Sequence, residues 1–234
     1  MKPKLVIFDL DGTLYDYNST HNFALNHVAE KISIISGVHK SEVLQIYNQS
    51  NLRLKEILKS VASSHNRFLY FLGVCKSLSL NLELALTFSN LYWSVFYQRI
   101  NVFEGCIDLL TDLRRLNIKT VLLTDFQSKE TYEKLAKLEL TDKFDSIITS
   151  EEIGCEKPSQ HCFLAACDSV KIDKKFAVMI GDNFRKDILG AIGVGIFAVH
   201  ISQTAENFKP RLASGYLHIN SLKDFDIHSI HIKS

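Results

Sequence analysis

The sequence predicts an α/β fold, a doubly wound parallel sheet with an all-helical domain inserted after the first strand. Short apolar runs recur along the chain, each ended by a turn signal, as expected of strands buried on both faces of a parallel sheet. Helical patterns separate the later runs, which indicates βαβ units. One long interval near the N-terminus breaks this rhythm, and its apolar spacing is helical.

The first run, Leu5-Val6-Ile7-Phe8, is closed by Asp9-Leu10-Asp11-Gly12-Thr13 and reads as a buried strand. Residues 16–100 then contain no proline. Leu84, Phe88, Leu91, Tyr92, Val95 and Phe96 form one helical stripe there, and Phe68, Leu69, Phe71 and Leu72 another. Such stripes are helix-packing surface rather than cofactor contacts. The chain is therefore expected to divide into a core of residues 1–15 and 101–234 and a helical domain of residues 16–100. Gly105, before a helix starting near Cys106, suits the return hinge. Helical patterns follow at Ile107 to Leu116, Lys129 to Leu138, Gln160 to Ser169 and Arg185 to Ile192. Strand-like runs fall between and after them at Thr120–Leu123, Ser146–Ile148, Ala177–Ile180 and Ile196–Val199. His228-Ser229-Ile230-His231-Ile232 reads as a terminal tail without a metal-binding role.

Composition excludes several classes. The 234 residues carry 27 basic and 26 acidic side chains, for a formal net charge of +1. That balance argues against a nucleic-acid polymer as partner, since such binders carry a basic excess. Five cysteines without a CxxC pair read as reduced, mostly buried thiols. Cys155, Cys162 and Cys167 lie close together, but their spacing lacks the paired-ligand pattern of structural zinc. The first apolar run is too short for a signal peptide or a membrane span, so a soluble cytoplasmic protein without a membrane partner is expected.

Chemistry concentrates at the carboxyl ends of the predicted core strands, where open α/β sheets bind ligands. Asp9 and Asp11 follow the first strand, Thr124 the second, Lys157 lies in the loop after the third, and Asp182 and Asp187 follow the fourth. Singly, such an Asp is a cap or turn former and such a Lys a surface charge; together at four strand ends they indicate a site. Crowded carboxylates disfavour joint ionisation, which a hard divalent cation relieves, and Mg²⁺ completed by waters and a phosphate suits this set. Lys157 and the Thr124 hydroxyl would then donate to phosphoryl oxygens. The matching chemistry is phosphoryl transfer, with one carboxylate as nucleophile and a second acid serving the leaving oxygen.

Phe8-Asp9-Leu10-Asp11-Gly12-Thr13-Leu14 resembles the first motif (DxDGT) of the haloacid dehalogenase-like superfamily. Leu122-Leu123-Thr124-Asp125 resembles its second motif, Glu156-Lys157-Pro158 its third, and the segment from Gly181-Asp182 to Asp187 its fourth. The resemblance implies a Rossmann-like core, with residues 16–100 standing where the family has its C1 cap. It further implies Asp9 as the nucleophile and an Mg²⁺ ligand. Asp11 would be the general acid and base, binding Mg²⁺ through its backbone carbonyl. Thr124, Asp125 and Lys157 would form the phosphate site. Asp182 would be a direct metal ligand that Asp187 supports directly behind it or through water. Dehalogenases lack the acid at Asp11, so the phosphatase branch is implied, with a small phosphate ester as substrate.

Two positions depart from the pattern. Asp125 stands where many members have Asn and places negative charge beside the expected phosphate site; members resembling N-acylneuraminate-9-phosphatases and some nucleotidases also tolerate Asp there. Ser159-Gln160 replaces the usual Asp-Pro after Lys157-Pro158. Residues 16–100 hold eight basic and five acidic side chains, a mildly basic lid or an ordinary surface. Tyr15, Asp16, Tyr17 and Asn18 are entrance residues or simple hinge residues. A non-catalytic binding or regulatory protein of the same fold and a phosphomutase are the alternatives to a phosphatase.

Overall fold

The computed structural model describes residues 2–202, 211–213 and 216–230. The chain forms two compact units, Met1–Asp16 with Asn101–Ser234, and Tyr17–Ile100.

The first unit is built on a seven-stranded sheet in the order β3-β2-β1-β4-β5-β7-β6. Its strands are β1 (Leu5–Phe8), β2 (Lys119–Thr124), β3 (Ser146–Thr149), β4 (Ala177–Gly181), β5 (Phe197–Ile201), β6 (Arg211–Ala213) and β7 (Tyr216–Ile219). All pairings are parallel except β6 with β7. The doubly wound parallel sheet expected from the apolar runs is therefore present. β1 and β4 are buried at every residue, which is why both read as unbroken apolar runs. Alternation sorts their side chains by face: Leu5, Ile7, Val121, Leu123, Ala177, Met179 and Ala198 share one core cluster with Phe163, Ala166 and Ile188.

The chain leaves β1 for β2 and β3 on one side, then returns to β4 on the other. The order of winding reverses between β1 and β4, and a crevice opens at the carboxyl ends of strands at such a point. Three helices flank the route: α5 (Cys106–Arg115), α6 (Ser128–Lys137) and α8 (Gln160–Ser169), with a short α7 (Ser150–Ile153) after β3. The expected helix from Arg185 to Ile192 is instead a π-helical turn, Phe184–Ile188, running into a short α9 (Leu189–Gly193).

β7 was not expected. Its residues Tyr216, Leu217 and His218 are only half-buried, so no continuous apolar run marks it. The expected tail also differs. Ile227 and Ile230 are buried, with a short helical turn at Ile227–Ser229 between them. His231 and Ile232 lie outside the described residues.

The second unit consists of α1 (Tyr17–Ser36), α2 (Lys40–Leu58), α3 (Arg67–Ser77) and α4 (Leu84–Arg99). α1 packs on α2 and α4, and α3 packs on the same two. Aromatic rings fill its interior: Tyr47 meets Phe71 at 5.2 Å and Tyr70 edge-on at 5.6 Å. The buried Arg67 guanidinium lies over the rings of Tyr70 and Tyr92, at 5.1 and 5.5 Å from their centroids. Among the described residues no helix is long and apolar enough to cross a membrane.

Candidate active site

β1 delivers Asp9 to the crevice. Its backbone N–H donates to the Ile180 carbonyl, which ties it to β4, and its side chain is 10% exposed. Thr13 Oγ1 donates to Asp9 Oδ2 at 2.9 Å, and Lys157 Nζ donates to Asp9 Oδ1 at 2.7 Å. The same Thr13 hydroxyl accepts from the Asp182 N–H at 3.1 Å, joining the loops after β1 and β4. Burial pushes the Asp9 carboxyl well above the usual carboxylate range, and the charges of Asp187 and Asp182 add to this against the pull of Lys157.

Two glycines make room for neighbouring carboxylates. Gly12 has φ +93°, and a Cβ there would meet Asp182 Oδ2 at 2.4 Å. A Cβ on Gly181 would meet Asp187 Oδ2 at 2.4 Å. The glycine of the first motif thus lets the two acidic loops close on each other.

Asp187 sits within the π-helical turn and is 1% exposed. Its Oδ2 accepts from the Asn183 N–H at 3.0 Å, and its Oδ1 pairs with Lys157 Nζ at 2.7 Å. Asp9, Asp182 and Asp187 each offer a carboxylate oxygen, and these oxygens lie within 4.8 Å of one another. Burial, then the charge of Asp187, raises the Asp182 carboxyl to about 6. Three clustered carboxylates against one lysine leave an excess of negative charge, and an all-oxygen donor set suits a hard cation such as Mg²⁺.

Lys157 is 2% exposed, and its Nζ also donates to the Leu123 carbonyl at 3.1 Å. Its charge is held well above the ordinary lysine range: burial opposes it, but Asp187, Asp9 and Asp125 outweigh burial. Thr124 is buried at the end of β2.

Asp125 follows directly after β2, and its side chain is engaged within the protein. A carboxylate has no donor for a phosphoryl oxygen, and both oxygens of this side chain are engaged elsewhere. Oδ1 accepts from the Lys157 N–H at 2.9 Å, and Oδ2 pairs with Lys186 Nζ at 2.8 Å. Lys186 also reaches Glu156 Oε2 at 3.0 Å. Burial alone would raise the Asp125 carboxyl, but Lys157 and Lys186 hold it below its usual value. Its side chain therefore braces the Lys157 loop, and its charge is met rather than left facing a phosphate.

The Asp11 carboxylate is held by residues that sequence reasoning missed. Lys134 Nζ, on α6, donates to both Asp11 oxygens at 2.7 and 2.8 Å, and the Tyr15 hydroxyl donates to Oδ1. Lys134 is fully buried, with Nζ 3.7 Å from the Phe126 ring centroid. One signal was available: Thr131, Lys134 and Leu135 share the buried face of α6, and a lysine on such a face needs a partner.

Residues 6–201 match the family model described as haloacid dehalogenase-like hydrolase. The chain is 29% identical over 208 residues to a ribulose-1,5-bisphosphate 5-phosphatase of Halopiger xanaduensis, covering 86% of each chain. It is 27% identical to a glyceraldehyde 3-phosphate phosphatase of Methanothermobacter thermautotrophicus, covering 85% of each. Among solved structures it resembles a HAD phosphatase from Thermococcus onnurineus with TM-score 0.72 and 25% identity, over 96% of this chain and 95% of the other. With its strand-end carboxylates and lysine on the sheet order just described, the chain belongs to the haloacid dehalogenase-like hydrolase family.

Proposed function

We propose that this protein is a Mg²⁺-dependent phosphomonoesterase that acts on a small phosphorylated metabolite through an aspartyl-phosphate formed on Asp9. One observation carries the reading. Asp9 lies at the winding reversal, fixed by Thr13 and Lys157 beside a buried group of carboxylates that suits a divalent cation. Names of relatives support a sugar phosphate as the substrate class, since the matched enzymes are named for ribulose bisphosphate and glyceraldehyde phosphate.

The residues divide the work as follows. An Asp9 carboxylate oxygen attacks phosphorus and displaces the substrate oxygen, while Lys157 and the Thr124 hydroxyl hold the remaining phosphoryl oxygens. Asp11 gives the departing oxygen a proton and later takes one from the water that releases phosphate. Before the first of these steps Asp11 must take up a proton and loosen its pairing with Lys134. Asp9 and Asp182 would hold Mg²⁺ together with the Asp11 backbone carbonyl, and Asp187 would support them while anchoring Lys157. When bound, the ion supplies positive charge that offsets the carboxylates and the phosphoryl oxygens. The reading extends to a cytoplasmic enzyme, consistent with near-neutral charge and five free thiols.

Phosphate release from a panel of sugar phosphates and nucleoside monophosphates, with and without Mg²⁺, tests it. Release should depend on the metal and vanish in Asp9→Asn. Activity that survives this substitution would refute the mechanism, and silence across the panel would favour a non-catalytic binding role.

A further inference from the structure

Two thiols flank the loop that carries Lys157. Cys155 Sγ lies 3.2 Å from Cys162 Sγ, and Cys162 Sγ is 3.5 Å from the Cys155 carbonyl oxygen. Cys155 follows Gly154, the left-handed residue that ends α7, and is half-buried. Cys162 lies in the first turn of α8, 1% exposed within the core cluster that includes Phe163 and Ala166. Glu156 and Lys157 stand between them.

We infer that Cys155 and Cys162 form a reversible disulfide that displaces Lys157 and turns the site off. A disulfide has a sulfur separation of about 2.05 Å, so the two sulfurs must close by about 1.1 Å. Cys162 is fixed by the helix and core around it, so the movement falls on Cys155 and the segment after Gly154. Lys157 is two residues along that segment. Four contacts tie it in place: its N–H to Asp125 at 2.9 Å, and its Nζ to Asp9 and Asp187 at 2.7 Å each and to the Leu123 carbonyl at 3.1 Å. A shift of about 1 Å in a positioning group lowers turnover by about a hundredfold.

Access and chemistry fit a two-step exchange with a small disulfide such as glutathione disulfide. The Cys155 sulfur, reachable from solvent, attacks one sulfur of the reagent, and the first glutathione thiolate leaves. The Cys162 sulfur then attacks Cys155 in the mixed disulfide, expelling the second glutathione and giving up its proton. Two protein thiols are oxidised and one glutathione disulfide is reduced to two thiols, so atoms and electrons balance. Burial pushes the Cys162 thiol above its ordinary value, so Cys155 meets the oxidant first. Cys75, Cys106 and Cys167 are buried.

The inference about bond formation stands on the geometry alone; its effect on turnover rests on the phosphatase reading. The test incubates the full chain with glutathione disulfide, blocks remaining thiols, cleaves after Glu156 and locates the linked cysteines by fragmenting the linked peptides in a mass spectrometer. A link joining Cys155 to Cys162 is expected, with phosphate release lowered about a hundredfold and restored by dithiothreitol. Cys155→Ser should keep its basal activity and lose sensitivity to the oxidant, and Cys155→Ala serves as a second variant if the first folds poorly. No link at saturating oxidant, a link to Cys167 instead, or a linked protein of undiminished activity would each overturn the inference. Should reduced protein release no phosphate from any substrate, the functional reading fails by itself, and the linked peptides still decide whether the bond forms.

Discussion

Replacing Lys157 by methionine keeps a side chain of similar length while removing the cation that Asp9 and Asp187 share. The ammonium is 2% exposed and serves Asp9 and Asp187 at 2.7 Å each and the Leu123 carbonyl at 3.1 Å. Removing one partner of a buried ion pair costs about 3 to 5 kcal/mol, because the remaining charge is left uncompensated. Here two carboxylates lose their partner, and Asp9 can escape part of the penalty by taking up a proton. Burial already raises Asp9, and raises Asp182 to about 6; Lys157 is the group that lowers both, so its loss moves them further up. A carboxyl raised in the folded state binds protons more tightly folded than unfolded. Stability therefore falls as pH rises from the unfolded carboxyl value through the folded one, and returns as pH drops. Each unit by which one carboxyl climbs is worth about 1.4 kcal/mol over that window. Urea unfolding of metal-free Lys157→Met should show a loss of about 3 to 5 kcal/mol at about pH 7.5, shrinking below about 2 kcal/mol at about pH 5. A loss under about 1 kcal/mol, or one equal at both pH values, would refute the view that Lys157 neutralises this cluster.

The other expectations concern neighbouring contacts. Gly12→Ala must force a Cβ into Asp182 at a backbone angle of +93°, so it should cost about 1 to 3 kcal/mol; calorimetric titration should also show weakened Mg²⁺ binding, and unaltered binding would contradict the close approach. Asp125→Asn and Lys186→Met should be non-additive by about 1 to 2 kcal/mol in a double-mutant cycle of unfolding, since the two groups meet at 2.8 Å partly shielded from water. Lys134→Met removes the ammonium that makes two short hydrogen bonds to the Asp11 carboxylate, and kcat should fall at least about tenfold with KM little changed; a change confined to KM would place Lys134 outside the proton-transfer step.

Five strands of the sheet, and the strand-end positions of the acidic residues, were legible in the sequence by itself, because both are written in local patterns. Leu5 to Phe8 and Ala177 to Ile180 are buried on both faces, so burial appears as an unbroken apolar run. Asp9 follows the first run directly and Asp182 follows the second after Gly181, which places both at strand ends whatever the packing. β7 escaped notice because its residues are only partly buried and alternate with polar ones. The tertiary structure alone decided which charges meet. Asp11 and Lys134 are 123 residues apart, and Asp125 and Lys186 are 61 apart, so no spacing announces either pair. Asp125 shows the consequence most clearly. In the sequence it is an acid beside an expected phosphate site; folded, it is an acceptor for Lys157 N–H and Lys186 Nζ that holds the Lys157 loop in place. A side chain's type is encoded locally, but its charge state and task depend on partners that only packing brings within hydrogen-bond distance.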